Sequence, residues 1–219
     1  MVQKKIPGTN FNVQNIFCIG RNYAEHAKEL NNPIPTSPVV FIKPTSSICY
    51  DKENLIIPKQ SKRVDHEVEI VVVIGKNGKN ISESEAHKYI SHVGVGLDFT
   101  ARDLQDIAKE KSLPWCISKG FDTFAAISHF HEFNGDELKL KNIEFLLEVN
   151  GEIRQKGNSK NMLFSIAKII SFLSIIYTLS ERDLIFTGTP EGVSLLNAGD
   201  TMIAKLENWS TLSLGVVNT

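Results

Sequence analysis

Three acidic residues in two neighbouring segments could hold a metal ion. The first segment, 65–75, is a run of branched apolar residues that opens with Glu67 and Glu69. Because strand side chains alternate between faces, a strand here places both carboxylates on one face. Adjacent carboxylates repel each other, and a divalent cation between them removes that repulsion. The plainer interpretation is a solvent-exposed strand face, on which alternate acidic residues are common.

A second segment, 93–103, favours the metal site. Its sequence is typical of a short strand that ends at Asp98 and runs into a helix. With Glu67 and Glu69, this residue makes a set of three carboxylates to which no Cys or His clearly belongs. Such a set suits a hard cation, Mg²⁺ or Mn²⁺, better than zinc.

The segment from Arg21 to Leu30 is predicted to be a helix that carries an acid–base pair. Asn22 and Glu25 have the spacing of a capping box at its start. His26 and Glu29 are three positions apart and therefore share a face. A carboxylate that orients an imidazole and raises its basicity is the arrangement of a general base. The alternative is a casual ion pair on a solvated helix.

The residues around this helix predict a mobile segment. Gly20 precedes it, and three prolines between positions 33 and 38 cannot continue it. A short helix bounded in this way could order over a bound ligand, so segment 21–36 is predicted to be a lid.

A second helix, from Ala101 to Lys111, brings further polar side chains near Asp98. Thr100 and Asp103 have the spacing of another capping box. Arg102 and Gln105 share a face of the first turns, and they could bind a substrate carboxylate or carbonyl. The sequence does not choose between that role and ordinary surface exposure.

Two later segments offer weaker signals. Lys119 lies between apolar residues and a glycine, which is unusual for a solvated lysine, although a lysine whose stem covers apolar surface is the default interpretation. The segment 187–190 offers hydroxyl and backbone N–H groups, including those of Thr189, to an anion. Turns of this composition are common.

The remaining pattern predicts a mainly β second half. Two apolar runs joined by Asn150 and Gly151 predict a hairpin, and further strands are expected near 183–186, 202–206 and 212–217. Between them, an apolar helix within 162–179 is predicted to pack on the core through one stripe of side chains. The stripe consists of Ile166, Ile169, Ile170, Leu173, Ile176 and Tyr177.

Composition limits the class of protein. The chain has 219 residues, of which 42% are hydrophobic and 22% charged, so we expect one globular catalytic domain over 1–219. A formal net charge of -1 argues against a surface for nucleic acid or membrane. The three cysteines are widely spaced without a CxxC pair, and no secretory signal precedes them, which predicts a cytoplasmic protein.

Seven ordered segments make the chain similar to the fumarylacetoacetate hydrolase family. It resembles in particular the short acylpyruvase and oxaloacetate decarboxylase-like members, and it departs from the family pattern at Ser194, where glycine is frequent. The segments are Gly20–His26, Phe41–Pro44, Asp65–Glu69, Asp98–Gln105, Lys119–Asp122, Val149–Glu152 and Thr187–Pro190.

The resemblance implies a fold and a set of roles. The fold is α+β and predominantly β, a mixed β-roll with short helices around it, and homodimers are usual in such members. The implied metal ligands are Glu67, Glu69 and Asp98. The implied catalytic residues are His26, Glu29 and Lys119. The implied substrate contacts are Arg21, Gln105 and Thr189.

The expected activity is Mg²⁺- or Mn²⁺-dependent cleavage of a C–C bond in acylpyruvate-type 2,4-dioxo acids through a metal-stabilised enolate. The same site could instead decarboxylate or tautomerise oxaloacetate, or isomerise 2-hydroxyhepta-2,4-diene-1,7-dioate. A non-catalytic metal- or ligand-binding β protein is the alternative of another class.

Overall fold

Strands dominate the chain, as the sequence predicts. The computed structural model describes residues 4–219. Its strands are β1 Ile16–Gly20, β2 Val39–Lys43, β3 Ile48–Tyr50, β4 Asn54–Ile57, β5 Val64–Asp65, β6 Val68–Ile74, β7 Ile90–Asp98, β8 Thr100–Ala101, β9 Ala125–Ile127, β10 His131–Glu132, β11 Glu144–Val149, β12 Glu152–Asn158, β13 Leu184–Phe186, β14 Thr201–Leu206 and β15 Ser210–Asn218.

The helices are short and lie between the strands. They are α1 Ala24–Glu29, α2 Arg102–Glu110, α3 Cys116–Lys119, α4 Glu137–Leu140 and α5 Ile166–Ile176, with 3₁₀ turns at Thr45–Ser47, Glu83–Tyr89 and Ser159–Asn161. None of the helices in residues 4–219 has both the length and the apolar character that crossing a bilayer requires.

Two large mixed sheets form the framework. One sheet has the order β2-β1-β13-β6-β7-β9-β3, with β10 also paired to β7. The other has the order β12-β11-β14-β15-β4, and β5 pairs with β8 in a small separate ladder. Most neighbours are antiparallel, whereas β1–β13, β3–β9 and β4–β15 are parallel. This arrangement confirms the prediction of an α+β, predominantly β fold.

Strand β6 is buried on both faces. Ile70 and Val72 belong to the main core, which the second sheet and α5 complete. Val71 and Val73 point the other way, into a smaller core that Ile6 closes from the N-terminal segment. A strand covered on both sides is apolar along most of its length, which accounts for the continuous run of branched residues from Ile70 to Ile74. Glu69 is the exception within the strand.

Both predicted capping boxes are wrong. Helix α1 begins at Ala24, and the Asn22 side chain instead donates to the Thr187 and Phe164 carbonyls at 2.7 and 3.0 Å. Helix α2 follows Ala101 without a side-chain cap. The carboxylate of Asp103 accepts from the Ser61 hydroxyl at 2.6 Å. In each case a contact distant in sequence replaces the local one.

The predicted stripe of the apolar helix is only partly buried. Its first four members lie in the core, but Ile176 and Tyr177 are 52% and 39% exposed. Helix α5 ends at Ile176, and the chain leaves in an extended conformation at Tyr177. Helical spacing therefore no longer applies to Tyr177. The predicted hairpin, by contrast, is confirmed as β11 and β12.

We expect the two-sided burial of β6 to make it intolerant of a polar atom. Val72→Thr places a hydroxyl where the side chain is 0% exposed, and should lower the free energy of unfolding by about 1–3 kcal/mol. The same substitution at Val217, a strand residue that is 38% exposed, should change it by less than about 0.5 kcal/mol. Urea unfolding of both variants measures the difference. Equal losses in the free energy of unfolding would contradict the burial of β6 on both faces.

Candidate active site

The ladder between β6 and β7 brings the three predicted metal ligands together. Its register places Glu67 opposite Asp98, whose N–H donates to the Glu67 carbonyl at 2.8 Å, and pairs Glu69 with Gly96. Cross-strand partners share a face, so all three carboxylates lie on one side. They are at most 5% exposed. One oxygen from each lies within 4.8 Å of the others.

Two buried lysines neutralise part of this acidic group. The Lys119 ammonium lies 2.8 Å from Glu67 Oε2 and 2.7 Å from Asp98 Oδ2. Lys43 Nζ is 2.6 Å from the other Asp98 oxygen. Lys43 also donates to the carbonyls of Phe99 and Phe124 at 3.1 and 2.7 Å. Lys119 is therefore a buried site residue, and not the solvated lysine of the default interpretation.

A third cation, Arg102, fixes the outer side of the group. Its guanidinium donates to Asp65 at 2.8 Å, to Glu67 at 2.5 Å and to the Gln105 amide oxygen at 2.6 Å. Arg102 and Gln105 are each 3% exposed, so the interpretation as surface residues is wrong. Arg63 completes the arrangement by pairing with the second oxygen of Asp65 at 3.0 Å.

The carboxylates differ in their electrostatic surroundings. Burial raises the pKa of Glu67, but Lys119 and Arg102 outweigh it and hold the pKa well below its usual range. Burial, followed by repulsion from Asp98 and Glu67, raises the pKa of Glu69 well above its ordinary value. The Gly188 N–H donates a hydrogen bond to a Glu69 oxygen at 2.7 Å. Glu69 is therefore the member of the group whose negative charge is least compensated.

These residues fit a hard divalent cation. The donors are oxygens, they are buried, and they are close enough to share one ion. The uncompensated charge of Glu69 is what such an ion would neutralise. Four cations, Arg63, Arg102, Lys43 and Lys119, pair with Asp65, Glu67 and Asp98. Within residues 4–219 none of them forms an ion pair with Glu69, so the deficit of positive charge lies at that carboxylate.

The predicted acid–base pair lies on α1, at the side of the same cleft. His26 is 4% exposed, and its Nδ1 is 3.5 Å from Glu29 Oε2, slightly beyond a normal hydrogen bond. Both Glu29 oxygens accept from the Gly192 N–H at 3.1 Å. Partial burial raises the pKa of Glu29, but the contacts with His26 and Gly192 lower it overall. Glu29 is thus an ionised group able to orient the imidazole.

The cleft is narrow: its outline encloses about 350 Å³, a volume that includes open solvent, and only about 20 Å³ of it is accessible to the centres of water-sized molecules. All the predicted catalytic and substrate-binding residues except Glu29 line it, together with two of the three predicted metal ligands. The lining residues that the sequence predicts are Arg21, His26, Glu67, Glu69, Gln105, Lys119 and Thr189.

The Thr189 side chain is committed to the protein. Its hydroxyl donates to the Val68 carbonyl at 2.8 Å and accepts from the Gln155 amide at 2.9 Å. The N–H of Gly188 is likewise taken by Glu69. The loop predicted to bind an anion therefore binds a carboxylate of the chain itself.

Gln155, on β12 of the second sheet, is a supporting residue that sequence reasoning missed. Its amide oxygen contacts His66 Nδ1 at 2.9 Å and the Val68 N–H at 3.0 Å, and its nitrogen donates to the Thr189 hydroxyl. The other nitrogen of His66 is 2.8 Å from the Ser194 hydroxyl. No local signal marks Gln155, because its partners are 34 to 89 positions away.

Lys43 was also missed, although its sequence carries a signal. A lysine at the end of the apolar run 39–42 must either snorkel to solvent or find buried acceptors. Here it finds Asp98 and three backbone carbonyls. Asp65 gives a similar signal, since it precedes the apolar run of the buried strand. In the structure its side chain is 0% exposed.

The pattern of the fumarylacetoacetate hydrolase C-terminal family matches residues 15–217 of this sequence. The chain belongs to the fumarylacetoacetate hydrolase family. Its implied fold is confirmed by the fumarylpyruvate hydrolase of Pseudomonas aeruginosa, whose structure in complex with Mn²⁺ and pyruvate superposes with a TM-score of 0.90. The two chains are 33% identical, and the comparison covers 99% of this chain and 98% of that one.

Named relatives within the fumarylacetoacetate hydrolase family act on oxaloacetate. The mitochondrial oxaloacetate decarboxylase of Dictyostelium discoideum is 48% identical, over 85% of this chain and 86% of that protein. The mitochondrial oxaloacetate tautomerase of Arabidopsis thaliana is 44% identical, over 92% of this chain and 90% of that protein. This chain is therefore a member of an enzyme family whose members differ in reaction.

We expect Glu69 and Asp98 to behave oppositely in the metal-free protein. The folded state holds a proton on Glu69 more tightly than the unfolded chain does, so the stability that this proton gives is lost as pH rises from the ordinary glutamate pKa towards the raised pKa of the folded state. Glu69→Gln should therefore raise the melting temperature at pH 7.5 after chelation. Asp98→Asn removes the partner of two buried lysines and should lower the free energy of unfolding by about 3–5 kcal/mol.

Both variants should lose the rise in melting temperature that Mg²⁺ or Mn²⁺ gives the wild-type protein. Differential scanning fluorimetry with and without each ion measures both effects. A Glu69→Gln protein that melts lower than wild type without metal, or that keeps the full metal response, would contradict this account of the site.

Proposed function

We propose that this protein is a divalent-metal-dependent enzyme that converts oxaloacetate through an enolate, by decarboxylation or by keto–enol tautomerisation. The observation that carries the proposal is the buried group of Glu67, Glu69 and Asp98 with the Lys119 ammonium bonded to two of its members. The 48% and 44% identical relatives named for these reactions support oxaloacetate as the substrate. They also favour an enzyme over a non-catalytic metal-binding protein.

A bound divalent cation would supply positive charge that stabilises the enolate oxygen. Glu67, Glu69 and Asp98 would hold it, and either Mg²⁺ or Mn²⁺ suits their oxygens. The Mn²⁺ in the fumarylpyruvate hydrolase structure supports this assignment.

Lys119 has the properties of a charge stabiliser. Burial lowers its pKa, but Asp98 and Glu67 outweigh burial and raise it, so the side chain remains an ammonium. An ammonium has three N–H groups, and two of them are used by Glu67 and Asp98. The third can donate to an oxygen of the substrate. Lys119 would thus place a fixed positive charge beside the oxygen on which negative charge develops.

Gln105 and Arg102 would orient the substrate. The Gln105 carbonyl accepts from Arg102 at 2.6 Å, which fixes the amide, and its N–H₂ group has no hydrogen-bond partner within residues 4–219. Because both residues are buried at the side of the cleft, this amide is a preorganised donor for a carboxylate or keto oxygen.

Hydrolysis of acylpyruvates is a second candidate, and the pairing of His26 with Glu29 favours it. Ionised Glu29 orients the imidazole, and His26 would take a proton from the water that attacks the distal carbonyl, releasing pyruvate and a carboxylic acid. Decarboxylation needs no activated water. The two reactions therefore make different demands on the pair.

We also propose that residues 1–219 act as one catalytic domain, that segment 21–36 is its lid and that the protein is a homodimer, the last by family analogy. Light scattering of the purified protein measures the oligomeric state. A cytoplasmic location stays a prediction from the cysteines, and the two relatives named above are mitochondrial.

A substrate panel tests the proposed activity. Metal-loaded protein should consume oxaloacetate faster than fumarylpyruvate, acetylpyruvate or 2-hydroxyhepta-2,4-diene-1,7-dioate, measured as pyruvate release, enol absorbance or acid release. Chelation should abolish turnover, and Mg²⁺ or Mn²⁺ should restore it. A protein that unfolds on chelation and turns over none of these acids would support the non-catalytic alternative.

Replacing the acid–base pair separates the two reactions. His26→Ala should lower acylpyruvate hydrolysis by about 10²–10⁴-fold, since it removes the proposed general base, while metal affinity stays within about twofold. Glu29→Gln should reduce hydrolysis more than oxaloacetate decarboxylation. Glu25→Gln, on the exposed side of the same helix, is the matched control. Equal losses of both activities would mean that the pair has no special role in water activation.

A further inference from the structure

Two cations at the mouth of the cleft are weakly compensated by carboxylates of the chain. Arg21 makes no ion pair with any residue in the part of the chain that the structure describes, and its guanidinium lies 5.7 Å from the centre of the Trp115 ring. Lys109 has one acidic neighbour, Asp106, at 3.4 Å. The cations deeper in the cleft are committed, because Lys43, Lys119 and Arg102 each bind carboxylates at 2.8 Å or less.

The backbone and the helix direct both side chains to the cleft. Arg21 has a φ of 58°, in the left-handed region that few non-glycine residues adopt. This conformation, between β1 and α1, accompanies a side chain that lines the cleft. Lys109 is on α2, where its side chain is 25% exposed and lines the same cleft. Burial, and then the nearby charge of Arg102 and Arg21, keep the pKa of Lys109 below its usual value, apart from the opposing effect of Asp106.

Helix α2 places three polar side chains at increasing distances from the floor of the cleft towards its mouth. Arg102, Gln105 and Lys109 recur at intervals of three and four residues and therefore lie on one face. Arg102 touches the metal-ligand group, Gln105 follows it, and Lys109 is about 6 Å further along the axis than Gln105, at a rise of roughly 1.5 Å per residue. That separation suits two carboxylates joined by a short carbon chain.

We infer that Lys109, with Arg21, forms a subsite for the distal carboxylate of the substrate and selects 2-oxo dicarboxylic acids over 2-oxo monocarboxylic acids of equal length. The inference rests on the proposed function, which places the 2-oxo acid end at the floor. A monocarboxylic acid leaves Arg21 without an ion pair and Lys109 with only its 3.4 Å contact to Asp106. A dicarboxylic acid neutralises them without taking the deeper cations from their partners.

The test uses two stable ligands that differ only at the distal end, 2-oxoglutarate and 2-oxovalerate. Calorimetry on Mg²⁺-loaded protein should show that wild type binds 2-oxoglutarate at least about tenfold more tightly. Lys109→Met keeps the side-chain stem and removes the charge. It should reduce that preference to less than about threefold, by weakening 2-oxoglutarate alone, and Lys109→Arg should retain most of it.

Lys111→Met is the matched control, because Lys111 is exposed near the end of the same helix and does not line the cleft. It should leave both affinities unchanged. Equal binding of the two acids by wild type, or an unchanged preference in Lys109→Met, overturns the inference but leaves the proposed function standing. If neither acid binds to metal-loaded wild type, the proposed 2-oxo acid site itself is wrong.

Discussion

Close burial of like charges at the end of the β6–β7 ladder is the constraint on which the site depends. Four carboxylates lie there almost without solvent, and charges of one sign at this spacing are tolerated only with partners. Lys43, Lys119 and Arg102 supply part of the compensation, and each comes from a different element of the fold. The positions of β2, α2 and α3 relative to the central ladder are therefore tied to the electrostatics of the site, and the remaining deficit is what suits the site to a cation.

The fold gives this group its precision by burying β6 on both faces. A slip of one residue between β6 and β7 would send Ile70 and Val72 to the wrong core and turn Glu67 and Glu69 away from the cleft. The register that packs two cores is thus the register that aligns the carboxylates. The stability of the sheet and the geometry of the site have the same origin, which explains why the site needs few loops of its own.

Sequence reasoning succeeds where the signal is periodic and fails where the partner is distant. Alternation along β6 was enough to place Glu67 and Glu69 on one face, and helical spacing to place His26 beside Glu29. Both capping boxes failed because tertiary hydrogen bonds competed successfully for the same side chains, as with the Asn22 contacts to residues 164 and 187. The burial of Arg102 could not be read locally either, since it follows from ion pairs formed across two strands.

Gln155 links the second sheet to the backbone beside the proposed metal ligands. A single amide binds the backbone between two of the proposed metal ligands and also the loop that touches Glu69. Distortion of the β11–β12 hairpin would therefore be transmitted to the ligand oxygens through hydrogen bonds about 3 Å long rather than absorbed by soft apolar packing. The second sheet thus helps to hold the proposed metal ligands in position. Substitutions in that hairpin would therefore be limited by the displacement of the ligand oxygens that the proposed reaction tolerates, as well as by their effect on the free energy of folding.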